Sequence, residues 1–413
     1  MILGRASGNP SAPKAFRGGG THRTVSPAET LSRVMPFAPV MRITRVANIT
    51  GLDILKIPVW VACRPNARSL AVSQGKGLDH DAAKASAVME SIEAYHAERI
   101  PLPLQYGSYD ELRATQTIVD VGRLAKTTRR FDADTPIFWI ESTDIVTGRA
   151  VSVPFEVVHL NYTLPPLPGS GLFIASSNGL ASGNHRLEAV SHGLCEVIER
   201  DAATLWTLSG APAATRIDLE TIDDPAARGV LDLYEDAEVG VAVWDATSDV
   251  GVPTFICWIA DRTNNPMRPL PVARGTGCHP CREIALLRAL TEAAQSRLTV
   301  ISGSRDDLTD ARKAERAGPD EYERLRSVIC DARGTRDFRS TPTHTAESLD
   351  DDVAKEIACL ASAGMDQVLI VDLTRPEFQI PVVRVIVPGL EALHEAPGYS
   401  PGARARRLGE KAP

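Results

Sequence analysis

Apolar side chains recur every three or four positions in three long segments, residues 80–99, 184–207 and 280–301, and that period predicts three helices. On the first, Val88, Ile92 and Tyr95 form an apolar stripe, while Ser86, Glu90, Glu93 and Ala97 run down another face. On the second, Leu187, Val190, Leu194, Val197 and Ile198 oppose Glu188, His192, Glu196 and Glu199. On the third, Leu286, Leu290, Ala293 and Ala294 oppose Arg288, Glu292, Gln295 and Thr299. Shorter runs rich in Val, Ile and Leu at 55–63, 70–73, 137–160, 240–260, 367–373 and 380–388 predict strands. Further helices are expected from Pro27, at 319–331 and at 353–364. No repeat of fixed period appears and no clear linker divides residues 25–396, which read as a single large α/β domain of mixed sheets and long helices.

The polar stripes carry the candidate chemistry. A surface helix also has a polar face, so each stripe taken alone reads as a solvated one. The acidic stripes of the first two helices, however, are unmixed in sign, and like charges one turn apart repel. Divalent cations would compensate them, because Mg²⁺ is held by carboxylates together with phosphate oxygens and water. Six glutamates, at 90, 93, 188, 196, 199 and 292, exceed what one ion needs. The loops before two of these helices are rich in glycine or polar residues: Gly75-Lys76-Gly77, and residues 178–184 (NGLASGN). Such loops let backbone N–H groups approach phosphate, although the Walker A pattern GxxxxGK[ST] is absent and GKG on its own reads more readily as a plain turn.

Composition narrows the classes. The chain has 413 residues and a net charge of −7, which argues against nucleic-acid or anionic-membrane binding. No apolar run approaches the ~18 residues that span a bilayer. Seven cysteines, odd in number and scattered, fit reduced thiols in the cytoplasm. Cys278 and Cys281 form a CxxC with no second ligand pair to complete a zinc site. Residues 1–24 are basic and rich in Gly, Ser and Pro without an apolar signal core, and are expected to be disordered. Residues 397–413 are expected to be a flexible tail.

Three segments together, residues 73–99 (SQGKGLDHDAAKASAVMESIEAYHAER), 177–202 (SNGLASGNHRLEAVSHGLCEVIERDA) and 275–297 (GTGCHPCREIALLRALTEAAQSR), resemble the YcaO family. The likeness runs from about residue 22 to 396. It implies an ATP site unlike P-loop or protein-kinase folds, with ATP and Mg²⁺ as cofactors. It implies Glu90, Glu93, Glu196, Glu199 and Glu292 as metal ligands. Lys76, Ser86, Asn184, Glu188, Arg200, Arg288 and Gln295 are implied as ATP-binding residues. Arg297 lies in the third motif but falls on the apolar side of its helix, and is left out of the site. Family chemistry is attack on a peptide carbonyl whose oxygen takes the γ-phosphate, so neither Cys195 nor Cys281 needs to be a nucleophile. His192 lies in the acidic band, as a general base or a structural hydrogen-bonding group.

The branch of the family turns on the attacking group. Residues 21–31, 43–69 and 301–308 resemble stand-alone YcaO proteins associated with TfuA, which are linked to backbone thioamides. Azoline-forming members typically end in a proline-rich PxPxP tail, whereas this chain ends RARRLGEKAP. The resemblance therefore implies a TfuA-like partner, a sulfide source, a peptide or protein substrate and, as a family expectation, a homodimer. The alternatives are an azoline cyclodehydratase and a non-catalytic accessory of ribosomal-protein methylthiolation. A generic Mg²⁺ phosphohydrolase is disfavoured by the lack of a DxDxT motif.

Overall fold

In the computed structural model, which describes residues 12–18, 20–263, 270–305 and 319–411, the three polar-striped segments are helices at His80–Glu98, Arg186–Leu208 and Arg282–Ser302. Each begins after a strand. The first follows an antiparallel three-stranded sheet of Arg45–Asn48, Val59–Cys63 and Val72–Lys76. Asp79 caps it, its side chain accepting the Ala82 N–H at 2.8 Å. The third follows a matching antiparallel sheet of Val239–Asp245, Thr254–Asp261 and Ala273–Cys278. The second follows the short strand Leu180–Ser182, which sits at the end of a six-stranded sheet. That sheet also contains Leu104–Gly107, Ile137–Asp144, Ala150–Pro154, Leu369–Asp372 and Val382–Ile386, and its named pairings are antiparallel.

The same packing device serves these units. Gly75 lies so close to the first helix that a Cβ would run into the Ala83 carbonyl and the Ala87 nitrogen. Gly277 stands in the same relation to Ala285 and Ala289. Gly77 abuts the Ala83 nitrogen as Gly183 abuts that of Ala189. Strand and helix can touch backbone to backbone only where side chains are absent or methyl-sized. Aligned on these contacts, Glu90, Glu196 and Glu292 fall at equivalent positions, as do Glu93, Glu199 and Gln295. The strand–turn–helix unit is thus used three times. Insertions of different length separate its copies, which is why no fixed period appears in the sequence.

The predicted elements at 319–331 and 353–364 are helices at Pro319–Cys330 and Leu349–Ser362. The helix Pro225–Asp236 was not anticipated. Both terminal expectations are corrected. Residues 16–18 and 21–23 form a small hairpin, and Lys14 pairs with Asp352 at 2.6 Å with both side chains fully buried. Arg17 holds Glu347 at 2.6 Å. Composition could not disclose this order, because the partners lie at the other end of the chain; residues 1–11 fall outside the described residues. At the C-terminus, Ala403–Lys411 is a helix docked by Arg404, which donates to both oxygens of buried Asp201 at 2.9 and 3.0 Å. The ordered structure therefore extends beyond 25–396 at both ends. Among the described residues, no helix is long and apolar enough to cross a membrane.

Candidate functional site

Because the glycine contacts set the rotation of each helix against its strand, the three polar stripes face one another across a cavity of about 1270 Å³. All the predicted site residues line it: Lys76, Ser86, Glu90 and Glu93 from the first unit; Asn184, Glu188, Glu196, Glu199 and Arg200 from the second; Arg288, Glu292 and Gln295 from the third. Arg297, left out of the site on the sequence reading, also lines the cavity, with its guanidinium held at 2.9 and 2.8 Å by Asp53 and Asp261.

Three carboxylates accept backbone N–H groups in, or just before, the strands of the three units. The N–H groups of Gln74, Gly179 and Thr276 donate to Glu90, Glu196 and Glu292 at 3.1, 3.3 and 3.4 Å. The next positions bond to the following unit. Ser182 donates its N–H and hydroxyl to Glu93 at 2.8 and 2.6 Å, and the Thr276 hydroxyl donates to Glu199 at 2.7 Å. The Gln295 amide donates back to the Gln74 carbonyl at 3.2 Å, closing the circle. Glutamine, not glutamate, is suited there because the partner is an acceptor.

Two cations offset the negative charge. Lys76 contacts Glu292 at 2.5 Å, and Arg200 lies 3.4 Å from Glu199 and 3.9 Å from Glu196. Burial pushes Glu196 up to about 7, with Arg200 opposing. Glu93 rises to about 8 through burial, reinforced by Glu90 and Glu196 against the Ser182 bonds. Glu90 rises to about 7 through its enclosure by protein; its carboxylate opens onto the cavity, and water there tempers the rise. Burial raises Glu199 too, whereas for Glu292 the same burial is outweighed by Lys76 and Arg200, so Glu292 keeps its charge. Burial lowers Arg200, but Glu199, Glu292 and Glu196 more than reverse it.

A second wall is cationic. Thr24, through N–H and hydroxyl, and Asn184, through N–H and amide, satisfy Glu188 at 3.0–3.2 Å. Arg23 pairs with the same carboxylate at 3.5 Å and lines the cavity. Arg288 bonds the Cys278 carbonyl at 2.8 Å on the same wall. His192 is driven well below its usual range by burial and then by Arg23, Arg288 and Lys76, so its imidazole is neutral. Among the described residues its ring makes no hydrogen bond. Cys195 is packed in the helix, its thiol on Glu356 at 3.3 Å and pushed far up by Cys278 and burial. Burial lifts Cys281 to about 11. Neither has thiolate character.

Arg23, Thr24, Gln74, Ser182 and Thr276 were not identified from sequence. Thr276 had a signal, the alternation Gly275-Thr276-Gly277 before a polar-striped helix. Arg23 had none, since its place depends on the buried Lys14–Asp352 anchor.

An all-oxygen donor set with guanidinium and ammonium groups alongside suits a hard cation and a polyanion. Among the described residues no three ligands converge on one point. Any cation there would complete its shell with phosphate or water, as Mg²⁺ does.

Comparison with known proteins accords with this geometry. A family model described as YcaO cyclodehydratase, ATP- and Mg²⁺-binding, matches residues 74–391. A Rhizobium leguminosarum bv. trifolii protein of the tfuA 3′ region is 39% identical, the match covering 89% of this chain and 88% of that protein. A Methanothermobacter thermautotrophicus protein is 37% identical over 91% of this chain and 96% of its own length. In fold, the chain resembles YcaO from Methanopyrus kandleri bound with AMPPCP and Mg²⁺, with TM-score 0.73, 23% identity and coverage of 92% and 95%. It also resembles a heterocyclase solved with substrate and cofactor, with TM-score 0.76 and 23% identity; 93% of this chain matches about half of that one, 54%. The chain is a member of the YcaO family, whose proteins bind ATP and Mg²⁺.

Proposed function

We propose that this protein activates a peptide backbone amide with ATP and Mg²⁺, and that the product is a thioamide formed with a TfuA-type partner and a sulfide source. The observation that carries the reading is the gathering of six glutamates, Lys76 and the arginines Arg23, Arg200 and Arg288 around one cavity. In this reading Glu90, Glu93, Glu196, Glu199 and Glu292 hold Mg²⁺. Lys76, Arg200 and Arg288 hold phosphate oxygens, joined by Arg23. Asn184, Glu188, Ser86 and Gln295 orient the nucleotide. The bound nucleotide supplies a phosphoryl group for the amide oxygen, making that oxygen a leaving group. The protein's own contribution is positioning and charge neutralisation, with no covalent nucleophile, in keeping with two inert thiols. His192, which lines the cavity among these residues, is the candidate in this reading for accepting a proton from the attacking group.

The thioamide branch rests on the 39% identity to the protein of the tfuA 3′ region. The fold shared with a heterocyclase supports azoline formation as the second reading. Intact mass of candidate peptides, incubated with the protein, a TfuA-type partner, Mg-ATP and sulfide, separates the two. A gain equal to sulfur minus oxygen, dependent on ATP, supports thioamidation. Loss of one water assigns the azoline branch. No mass change together with no phosphate release refutes both.

A further inference from the structure

We propose that Thr276 is a positioning residue that locks the second and third acidic helices into register for cation binding, with Ser182 as its counterpart between the first and second. This rests on the metal-site reading above. Thr276 lies between two glycines of the strand Ala273–Cys278, where both neighbours touch helix backbone and its own side chain faces the cavity. Its hydroxyl is a hub. It donates to Glu199 at 2.7 Å, lies 3.2 Å from Glu292, and accepts from Arg200 at 3.4 Å. Its N–H donates to Glu292 at 3.4 Å.

One side chain therefore touches a carboxylate from each of two helices and the guanidinium that offsets them. A hydroxyl has one proton, so only one carboxylate can be served at a time, while its oxygen accepts from Arg200. Ser182 makes the simpler form of the contact, holding Glu93 alone through N–H and hydroxyl. Both residues sit on strands, which are stiffer than the side chains they steer. Partners of this kind, one bond removed from a metal, typically change metal affinity by about 10–100-fold when lost.

The test is direct Mn²⁺ binding, read by electron paramagnetic resonance, on the full chain saturated with AMPPCP. Thr276→Val keeps the shape and removes the hydroxyl; Thr276→Ser keeps the hydroxyl. The expected result is Mn²⁺ affinity weakened about tenfold or more in Thr276→Val and restored to within about threefold by Thr276→Ser. Ser182→Ala should weaken it as well. Unchanged affinity in Thr276→Val, with a circular dichroism spectrum like that of the parent, overturns the proposal while leaving the metal site standing. Equal weakening in Val and Ser variants also overturns it, since the effect would then be one of packing. If the parent chain binds no Mn²⁺ with AMPPCP, the metal-site reading itself fails, and this inference with it.

Discussion

Replacing Glu196 with glutamine should make the ligand-free protein more stable and the enzyme inactive. In the folded chain the Glu196 carboxyl titrates near 7, against an ordinary value of 4.5, because burial outweighs Arg200. A carboxyl raised on folding binds its proton more tightly in the native state. The native state therefore loses stability as pH climbs from about 4.5, and the loss is complete once pH passes about 7. A rise of that size corresponds to about 3 kcal/mol at ~1.4 kcal/mol per unit, and partial exposure (21%) to cavity water reduces it to about 2 kcal/mol. Glutamine never ionises, yet its carbonyl can still accept the Gly179 N–H. Glu196→Gln should therefore match the parent at pH 5 and exceed it by about 2 kcal/mol at pH 8. Denaturant unfolding at the two pH values measures this, and phosphate release from Mg-ATP measures function. Stability differences that do not grow with pH refute the electrostatic account. Retained ATP turnover refutes the assignment of Glu196 as a metal ligand.

Three other outcomes follow from particular contacts. Lys14→Met leaves Asp352 buried without its partner and should cost about 3 kcal/mol in unfolding free energy, while the double variant with Asp352→Leu should cost much less; equal costs would mean the pair is not the anchor. Gln295→Glu sets a carboxylate against the Gln74 carbonyl in place of an N–H donor and should cost about 1–3 kcal/mol, with weakened AMPPCP binding in calorimetry; wild-type behaviour would break the proposed ring of contacts. Gly277→Val must push the third helix off its strand, since a Cβ already meets the Ala285 carbonyl and Ala289 nitrogen, and should lower the melting temperature and abolish nucleotide binding; Gly251→Val, where a Cβ meets nothing within 4 Å, isolates the steric effect from a general one, although its positive φ of 78° carries a backbone cost of its own.

The polar stripes were legible because helical period needs only local spacing. Val88, Ile92 and Tyr95 state which side of the first helix is buried, and Glu90 and Glu93 then lie on a different face whatever surrounds them. The strands around Val59–Cys63 and Leu369–Asp372 were legible for the same reason, as apolar runs destined for burial. Ala273–Cys278 was not, for its residues (ARGTGC) look like a loop; its glycines are there to admit a helix, and that purpose exists only once the helix is packed.

Sequence alone determined which residues are charged, which helices carry them and on what side. It could not determine that the stripes converge, because convergence depends on the rotation of each helix against a strand, set by backbone contacts at Gly75, Gly183 and Gly277. Nor could it disclose the N-terminal hairpin that brings Arg23 and Thr24 to Glu188. Thr24 and Glu188 are distant in sequence, and the lysine that anchors the hairpin, Lys14, is tolerable in the interior only because Asp352 meets it there. Charge and period are properties of short stretches of chain; the raised carboxylates, the neutral His192 and the hub at Thr276 are properties of the space those stretches enclose.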